Sequence, residues 1–347
     1  LNTAFFLGAN TPGGFASYYG EWLDYSKIKR LYIIKGTPGN GKSGFMRRVA
    51  GKLGERGCES ILCSADPASL DGVYFPSLGT AFVDGTAPHA LEPKYPLAVE
   101  CYLPLTQFIN DEALIGERGA VMDLRDGLSQ DYARLSRVLT AVKSLQEEQR
   151  AIVSDRATWE TIRRRARGIA KRELRKGTGG PLHKRFLSAI TPDGETVLWD
   201  TVNALADRVY ELQDTFRMAD ALLGPVLTAA LEAGQEVYAC YDTYAPAARL
   251  SHLILPGLKL AFVSAPYPGE PYRRVRLDAA VPQEVIRRHR LRLRFLRKTA
   301  AALKQDACGV LADATDKHGR LEAIYNPHVD FSSVRALADA YAERILS

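Results

Sequence analysis

Apolar and polar positions divide this chain into strand-length runs followed by a long stretch of helical period, and the division occurs twice. Phe5-Phe6-Leu7 reads as a short strand that runs into the turn residues of Gly8-Ala9-Asn10-Thr11-Pro12-Gly13-Gly14. Residues 17–23 have helical spacing. Leu31-Tyr32-Ile33-Ile34 is an apolar run of strand length. Residues 44–53 follow as a helix, stopped by Gly54-Glu55-Arg56-Gly57. Glu59-Ser60-Ile61-Leu62-Cys63 is a second strand, ending in Ser64-Ala65-Asp66-Pro67, and Leu70-Asp71-Gly72 reads as a turn. Thr80-Ala81-Phe82-Val83 is a buried third strand that runs into Asp84. From about Ser129 the period changes. Tyr132, Leu135, Val138, Leu139, Val142 and Leu145 recur at three- and four-residue steps, which predicts a long amphipathic helix. Residues 155–176 are expected to return as its antiparallel partner, and Gly177-Thr178-Gly179-Gly180-Pro181 reads as a linker.

After that linker the pattern starts again. Phe186-Leu187-Ser188-Ala189-Ile190-Thr191-Pro192-Asp193-Gly194 matches residues 6–14 at six of nine positions. Gly234, Glu236 and Cys240 repeat Gly57, Glu59 and Cys63, and residues 256–263 match residues 76–83 at five of eight. Ala265-Pro266 and Glu270-Pro271 repeat Ala87-Pro88 and Glu92-Pro93. The order is kept and the offset stays between 177 and 180, which predicts an internal duplication of about 180 residues, far above solenoid periods.

Between the first strand-like run and its helix stands Gly36-Thr37-Pro38-Gly39-Asn40-Gly41-Lys42-Ser43, a full match to G-x-x-x-x-G-K-[ST]. Glycines let the backbone curl until several N–H groups converge on a phosphate chain, and the helix that follows adds its positive end. Residues 36–44 are thus expected to bind ATP. Lys42 would reach the β- and γ-phosphates, and the Ser43 hydroxyl would ligate Mg²⁺. Asp84, at the end of a buried strand, is expected to be the second metal-associated residue, in the Walker B manner. The matching segment of the second half, Asp214-Thr215-Phe216-Arg217-Met218-Ala219-Asp220-Ala221, has lost all three glycines. Asp220 stands for Lys42, Ala221 for Ser43, Ser264 for Asp84 and Tyr267 for His89. That half is expected to keep the architecture without binding a nucleotide there.

The expected fold is therefore α/β: a P-loop NTPase parallel sheet flanked by helices, internally duplicated, each half with a long helical hairpin. Its parts would be a core over 1–127, a basic hairpin over 128–176, the linker 177–181, a degenerate core over 182–282 and a helical region over 283–347.

The chain resembles bacterial ATP-binding proteins built from two tandem phosphate-loop halves. The likeness rests on Gly8-Ala9-Asn10-Thr11-Pro12-Gly13-Gly14, the phosphate loop, Ser69-Leu70-Asp71-Gly72 and Asp84-Gly85-Thr86-Ala87-Pro88-His89, and is specific over residues 5–93. The resemblance implies an ATPase. This chain departs from it in the second phosphate loop, which members of that family retain, so one competent site per chain is expected.

Gly85 follows Asp84, where many ATPases place a glutamate that activates water. Asp66 is the first candidate base, because strand ends in this fold face the ligand crevice; Asp71 and His89 are the others. Asp66 and Asp71 also read as ordinary turn residues. Phosphoryl transfer to a small molecule or nucleotide is one alternative to hydrolysis, and a nucleotide-sensing nucleic-acid-binding module with little turnover is the other. Arg217 or Arg249 could serve as an arginine finger from the second half.

The net charge of +6 hides an asymmetry. Residues 161–176 and 287–298 carry +7 each, which leaves the rest of the chain at −8. Both segments are candidate nucleic-acid surfaces, or simply solvated helix faces, the second half-buried through Leu291, Leu293, Phe295 and Leu296. The five cysteines are scattered with no C-x-x-C pair, there is no signal-type apolar core, and no apolar run reaches membrane-span length. A cytoplasmic protein with reduced thiols is expected.

Overall fold

The computed structural model describes residues 2–346 apart from His89. The first half contributes strands β1 (Thr3–Phe5), β2 (Gly8–Thr11), β3 (Gly14–Ser17), β4 (Arg30–Lys35), β5 (Glu59–Leu62), β6 (Leu70–Phe75), β7 (Thr80–Asp84) and β8 (Glu100–Pro104). Helix α1 (Lys42–Leu53) lies between β4 and β5, and α2 (Arg118–Val153) and α3 (Arg156–Glu173) follow β8. The second half contributes β9 (Leu182–Arg185), β10 (Ser188–Thr191), β11 (Gly194–Val197), α4 (Trp199–Leu205), β12 (Arg208–Gln213), α5 (Ala219–Glu232), β13 (Val237–Tyr241), β14 (Leu250–Leu255), β15 (Leu260–Val263) and β16 (Arg273–Arg276). It ends with α6 (Gln283–Arg288), α7 (Arg290–Tyr325) and α8 (Phe331–Leu346).

Each half holds one six-stranded sheet, in the order β1-β5-β6-β7-β4-β8 and β9-β13-β14-β15-β12-β16. The two orders correspond strand for strand, and so do the registers. A bulge falls after Ile61 in β5 and after Cys240 in β13, and Gly72 and His252 face those two residues. Tyr32 stacks on Phe82 in the first sheet as Tyr210 stacks on Phe262 in the second. The sheets are mixed, where an all-parallel sheet was expected, because β6 runs antiparallel to β5 and β7, and β14 to β13 and β15. Leu70-Asp71-Gly72 is the start of β6, not a turn. The seven residues between β5 and β6 are too few for the crossover that a parallel pair needs. The helix expected over 17–23 is only a 3₁₀ turn, Tyr19–Glu21.

The halves meet at Phe6 and Phe186. Their backbones exchange hydrogen bonds, Phe6 N to Phe186 O at 3.0 Å and Phe186 N to Phe6 O at 2.9 Å, so each residue does for its partner what the partner does for it. Beside them Arg185 and Glu59 form a buried ion pair at 2.6 Å.

The helices do not form a hairpin for each half. The partner of α2 is α7, 36 residues like itself and antiparallel to it. The ion pairs Glu148–Arg292, Arg134–Asp306 and Asp131–Lys317 run along this seam. Leu135, Leu139 and Val142 pack on Ala307, Val310 and Leu311 between them. At 1.5 Å per residue, α2 carries the chain about 54 Å. Its far end lies at the second half, where Gln149 Nε2 donates to Thr215 O at 3.1 Å. Only Ser154 and Asp155 separate α2 from α3, so α3 must begin there, capped by Asp155, and Ile162, Ala166 and Ile169 join the second half's core beside α5. By the same logic α8 places Val334, Ala338 and Ala342 on Phe45, Met46 and Val49 of α1 in the first half. The expected linker is no free tether, since Gly177, Gly179 and Gly180 donate backbone N–H groups to Ala233 and Gly234. Among the described residues no helix is long and apolar enough to cross a membrane.

Candidate functional site

Strands β4 and β7 are parallel neighbours, with Ile34 paired to Asp84, and that pairing assembles the site. The chain leaves β4 at Lys35, loops through residues 36–41 and enters α1 at Lys42. Gly39 (φ +70°) and Gly41 (φ +87°) take left-handed backbone conformations that other residues rarely adopt. The loop wraps around Asn40, which is buried. In the amide orientation that satisfies both groups, Asn40 donates to Thr37 O at 3.1 Å and accepts from Thr37 N at 3.2 Å. A Cβ on Gly36 would stand 2.1 Å from that amide.

Lys42 Nζ donates to Thr37 O at 2.7 Å and lies 3.7 Å from Asp84 Oδ2. Asp84 is buried, and its Oδ1 accepts from Thr86 N at 2.8 Å and Thr86 Oγ1 at 2.5 Å, which leaves Oδ2 toward the lysine. Ser43 Oγ accepts from Leu70 N at 2.9 Å and from Arg47 Nε at 3.4 Å. Gly44 is exposed in the first turn of α1, and Pro38 is half-buried in the loop. Thr37 Oγ1 is buried with no hydrogen bond among the described residues.

Asp66 is exposed, and its Oδ1 accepts from Ala68 N at 3.1 Å within its own turn. The fold thus gives Asp66 the local role of a turn residue. Asp71 is the more interior carboxylate, 6% exposed at the start of β6. The buried Tyr19 hydroxyl is pushed well above its ordinary range by burial and by the charges of Asp71, Cys63 and Asp84, which marks where these groups converge. Burial pushes the Cys63 thiol up as well, with Asp71 adding to the effect, which disfavours its thiolate. On α2, Tyr132 is 40% exposed, and its hydroxyl is raised to about 12 by partial desolvation and by Cys63, Asp131 and Asp71. His89 lies outside the described residues.

The end of α7 covers the loop. Asn326 donates to Gly39 O at 2.6 Å, and a Cβ on Gly39 would come within 3.0 Å of Glu322 Cα. The Glu322 carboxyl is held below its usual range, first by His318 and further by the charge of Lys42 and the backbone N–H of Gly39. A carboxylate thus faces the groups that a phosphate would need. Arg48 clamps Asp339 of α8 at 2.6 and 2.7 Å, which ties the arm to α1. Nothing in the 1–127 pattern signals Glu322 or Asn326, since the contact spans some three hundred residues.

In the second half the equivalent loop is built without glycine. Asp214 accepts from Met218 N and Ala219 N, both at 2.7 Å, and so fills the helix N-terminus with a side chain. Asp220 is gripped by Arg150, and Tyr267 donates to Asn203 Oδ1 at 2.6 Å. Arg217 and Arg249 both turn to Asp242 inside this half, at 4.0 and 3.6 Å, and not to Lys42, so the finger expectation fails on geometry. In the second basic segment Leu293 and Leu296 are buried, whereas Leu291 and Phe295 are exposed.

Among the described residues no three His, Cys, Asp or Glu side chains converge as a metal site. The donor set at Ser43 and Asp84 suits Mg²⁺ held by one carboxylate, one hydroxyl, water and a ligand's own phosphates. Compared with family models, curated proteins and solved structures, the chain returns no match.

Proposed function

We propose that the chain binds Mg²⁺-ATP on residues 36–44 and acts as an ATPase or nucleotide-gated switch with one competent site. It is an internally duplicated P-loop NTPase in this reading. The observation that carries it is the approach of Lys42 to Asp84 at the carboxyl ends of adjacent parallel strands, beneath a loop with two left-handed glycines. The orphaned Thr37 hydroxyl adds support, as a buried polar group that a phosphate would satisfy. Lys42 would neutralise the β- and γ-phosphates, and Ser43 and Asp84 would hold Mg²⁺. Bound Mg²⁺ would draw charge from the terminal phosphate. The burial of Asp71 makes it a better candidate than Asp66 for orienting water.

Titration with labelled ATP and Mg²⁺ tests this. One site per chain is expected, lost in Lys42→Ala. Two sites, or binding that survives this variant, would refute the reading. Turnover with candidate acceptors separates a kinase from a hydrolase, since only a kinase gives an acceptor-dependent ADP burst. Nucleic acid belongs in the same assay. Arg165 donates to Arg276 O at 2.7 Å, which brings basic α3 against the Arg273-Arg274 edge strand and offers one cationic face.

A further inference from the structure

The first turns of α7 are split into two faces. Leu293, Leu296 and Ala300 are buried, and Leu293 joins the core that Ile162 of α3 also enters. At 3.6 residues per turn, Leu291, Arg294, Phe295 and Lys298 share the opposite face. Leu291 is 75% exposed and Phe295 54%. They stand at i and i+4, so they form one apolar strip on the water side of the helix.

The charge around that strip is of one sign. No Asp or Glu occurs from Val285 to Gln305, and residues 287–298 hold seven Arg or Lys. Among the described residues only Arg292 of that segment pairs with a carboxylate, Glu148 at 2.6 Å. Arg294 and Lys298 lie on the face of the strip, and Arg290 and Arg297 flank it, all four exposed. His289 alone separates α6 from α7, so Arg287 and Arg288 come just before the strip.

Such a face fits a partner that is anionic at its surface and apolar just beneath. A bilayer of anionic lipid has that layering, and a helix that lies in its interface needs no spanning length. Arginine and lysine keep their charge at the headgroups while their stems and the apolar side chains between them go deeper. A nucleic-acid backbone would satisfy the same cations and leave Leu291 in water.

We propose that the first turns of α7 dock on an anionic lipid surface, with Leu291 and Phe295 inserted and Arg290, Arg294, Arg297 and Lys298 at the headgroups. This docking holds whether or not residues 36–44 bind nucleotide.

Co-sedimentation of the full chain with vesicles tests it. Binding is expected to vesicles of phosphatidylserine mixed with phosphatidylcholine, and not to phosphatidylcholine alone. Leu291→Ser together with Phe295→Ser should weaken it at least about tenfold, or 1.4 kcal/mol, whereas a chain held by charge alone would not respond. Arg294→Gln together with Lys298→Gln should weaken it by a similar factor. All four positions are exposed, so these variants are expected to fold, which circular dichroism checks. As a second readout, Leu291→Trp should add blue-shifted tryptophan emission on the mixed vesicles. No binding to the mixed vesicles, binding that the Leu291 and Phe295 changes leave intact, or a need for these residues with a single-stranded oligonucleotide and not with vesicles would each overturn the proposal.

Discussion

Arg150 holds Asp220 through two guanidinium nitrogens, at 2.6 and 2.8 Å, and a further bond from Arg150 to Arg217 O pins the glycine-free loop before α5. In the first half the same junction of long helix and loop carries Glu322 facing Lys42. The signs are reversed on both members. In the second half the attraction is closed and satisfied. In the first, the Glu322 carboxylate feels the charge of the loop's lysine, whose ion pair at 3.7 Å is with Asp84.

Glu322→Gln is therefore expected to tighten ATP binding by roughly tenfold, because an anion next to incoming phosphates costs about the 1.4 kcal/mol that such a change represents. Fluorescence anisotropy with a labelled ATP analogue measures it. Unchanged or weaker affinity would show that Glu322 does not oppose the ligand.

Asp84→Asn keeps the size of the side chain and removes its charge. ATP binding without Mg²⁺ should hold within about threefold, while the gain from Mg²⁺ should largely vanish. A full Mg²⁺ gain in this variant would remove Asp84 from the metal.

Strands β4 and β7 were legible as nearly unbroken apolar runs, β5 as a short run ending in Ile61-Leu62 after Gly57, and helix α1 from the glycine loop before it and the stop at Gly54. Strand β6 was not, since Leu70-Asp71-Gly72 carries turn residues on a buried strand. Gly72 is needed there because Trp22 would touch a Cβ at 3.0 Å. The apolar stripe of α2 was legible and its partner was not. A stripe states that something packs on it, whereas the two-residue link to α3 decides what. The same gap hid Glu322, Asn326 and Arg150.

Arg185 is 1% exposed and pairs with a buried Glu59, so Arg185→Leu would strand a carboxylate in the junction between the halves. A loss of about 3–5 kcal/mol is expected, with much of it recovered when Glu59→Leu is added. Urea unfolding of both variants checks this. Little loss in the single variant would mean the pair is not buried in solution.

His252 is buried, which lowers its pKa to about 4 against the nearby charges of Glu195 and Asp242. A depressed folded-state pKa means that the stabilisation is complete above about pH 6.5 and is lost as pH falls toward 4. The size is on the order of 2–3 kcal/mol. His252→Gln should flatten the decline between those pH values, read by urea unfolding at pH 7 and 4.5. An unchanged slope would place the acid sensitivity elsewhere.

Arg48 and Asp339, the clamp between α1 and α8, are separated by 291 residues of chain. During synthesis the glycine loop emerges long before the arm that covers it. The nascent chain thus passes through a stage in which the loop's residues have been made and the arm that packs over them has not. A nucleotide could therefore act on the first half as a folding ligand well before the finished protein can restrict its entry.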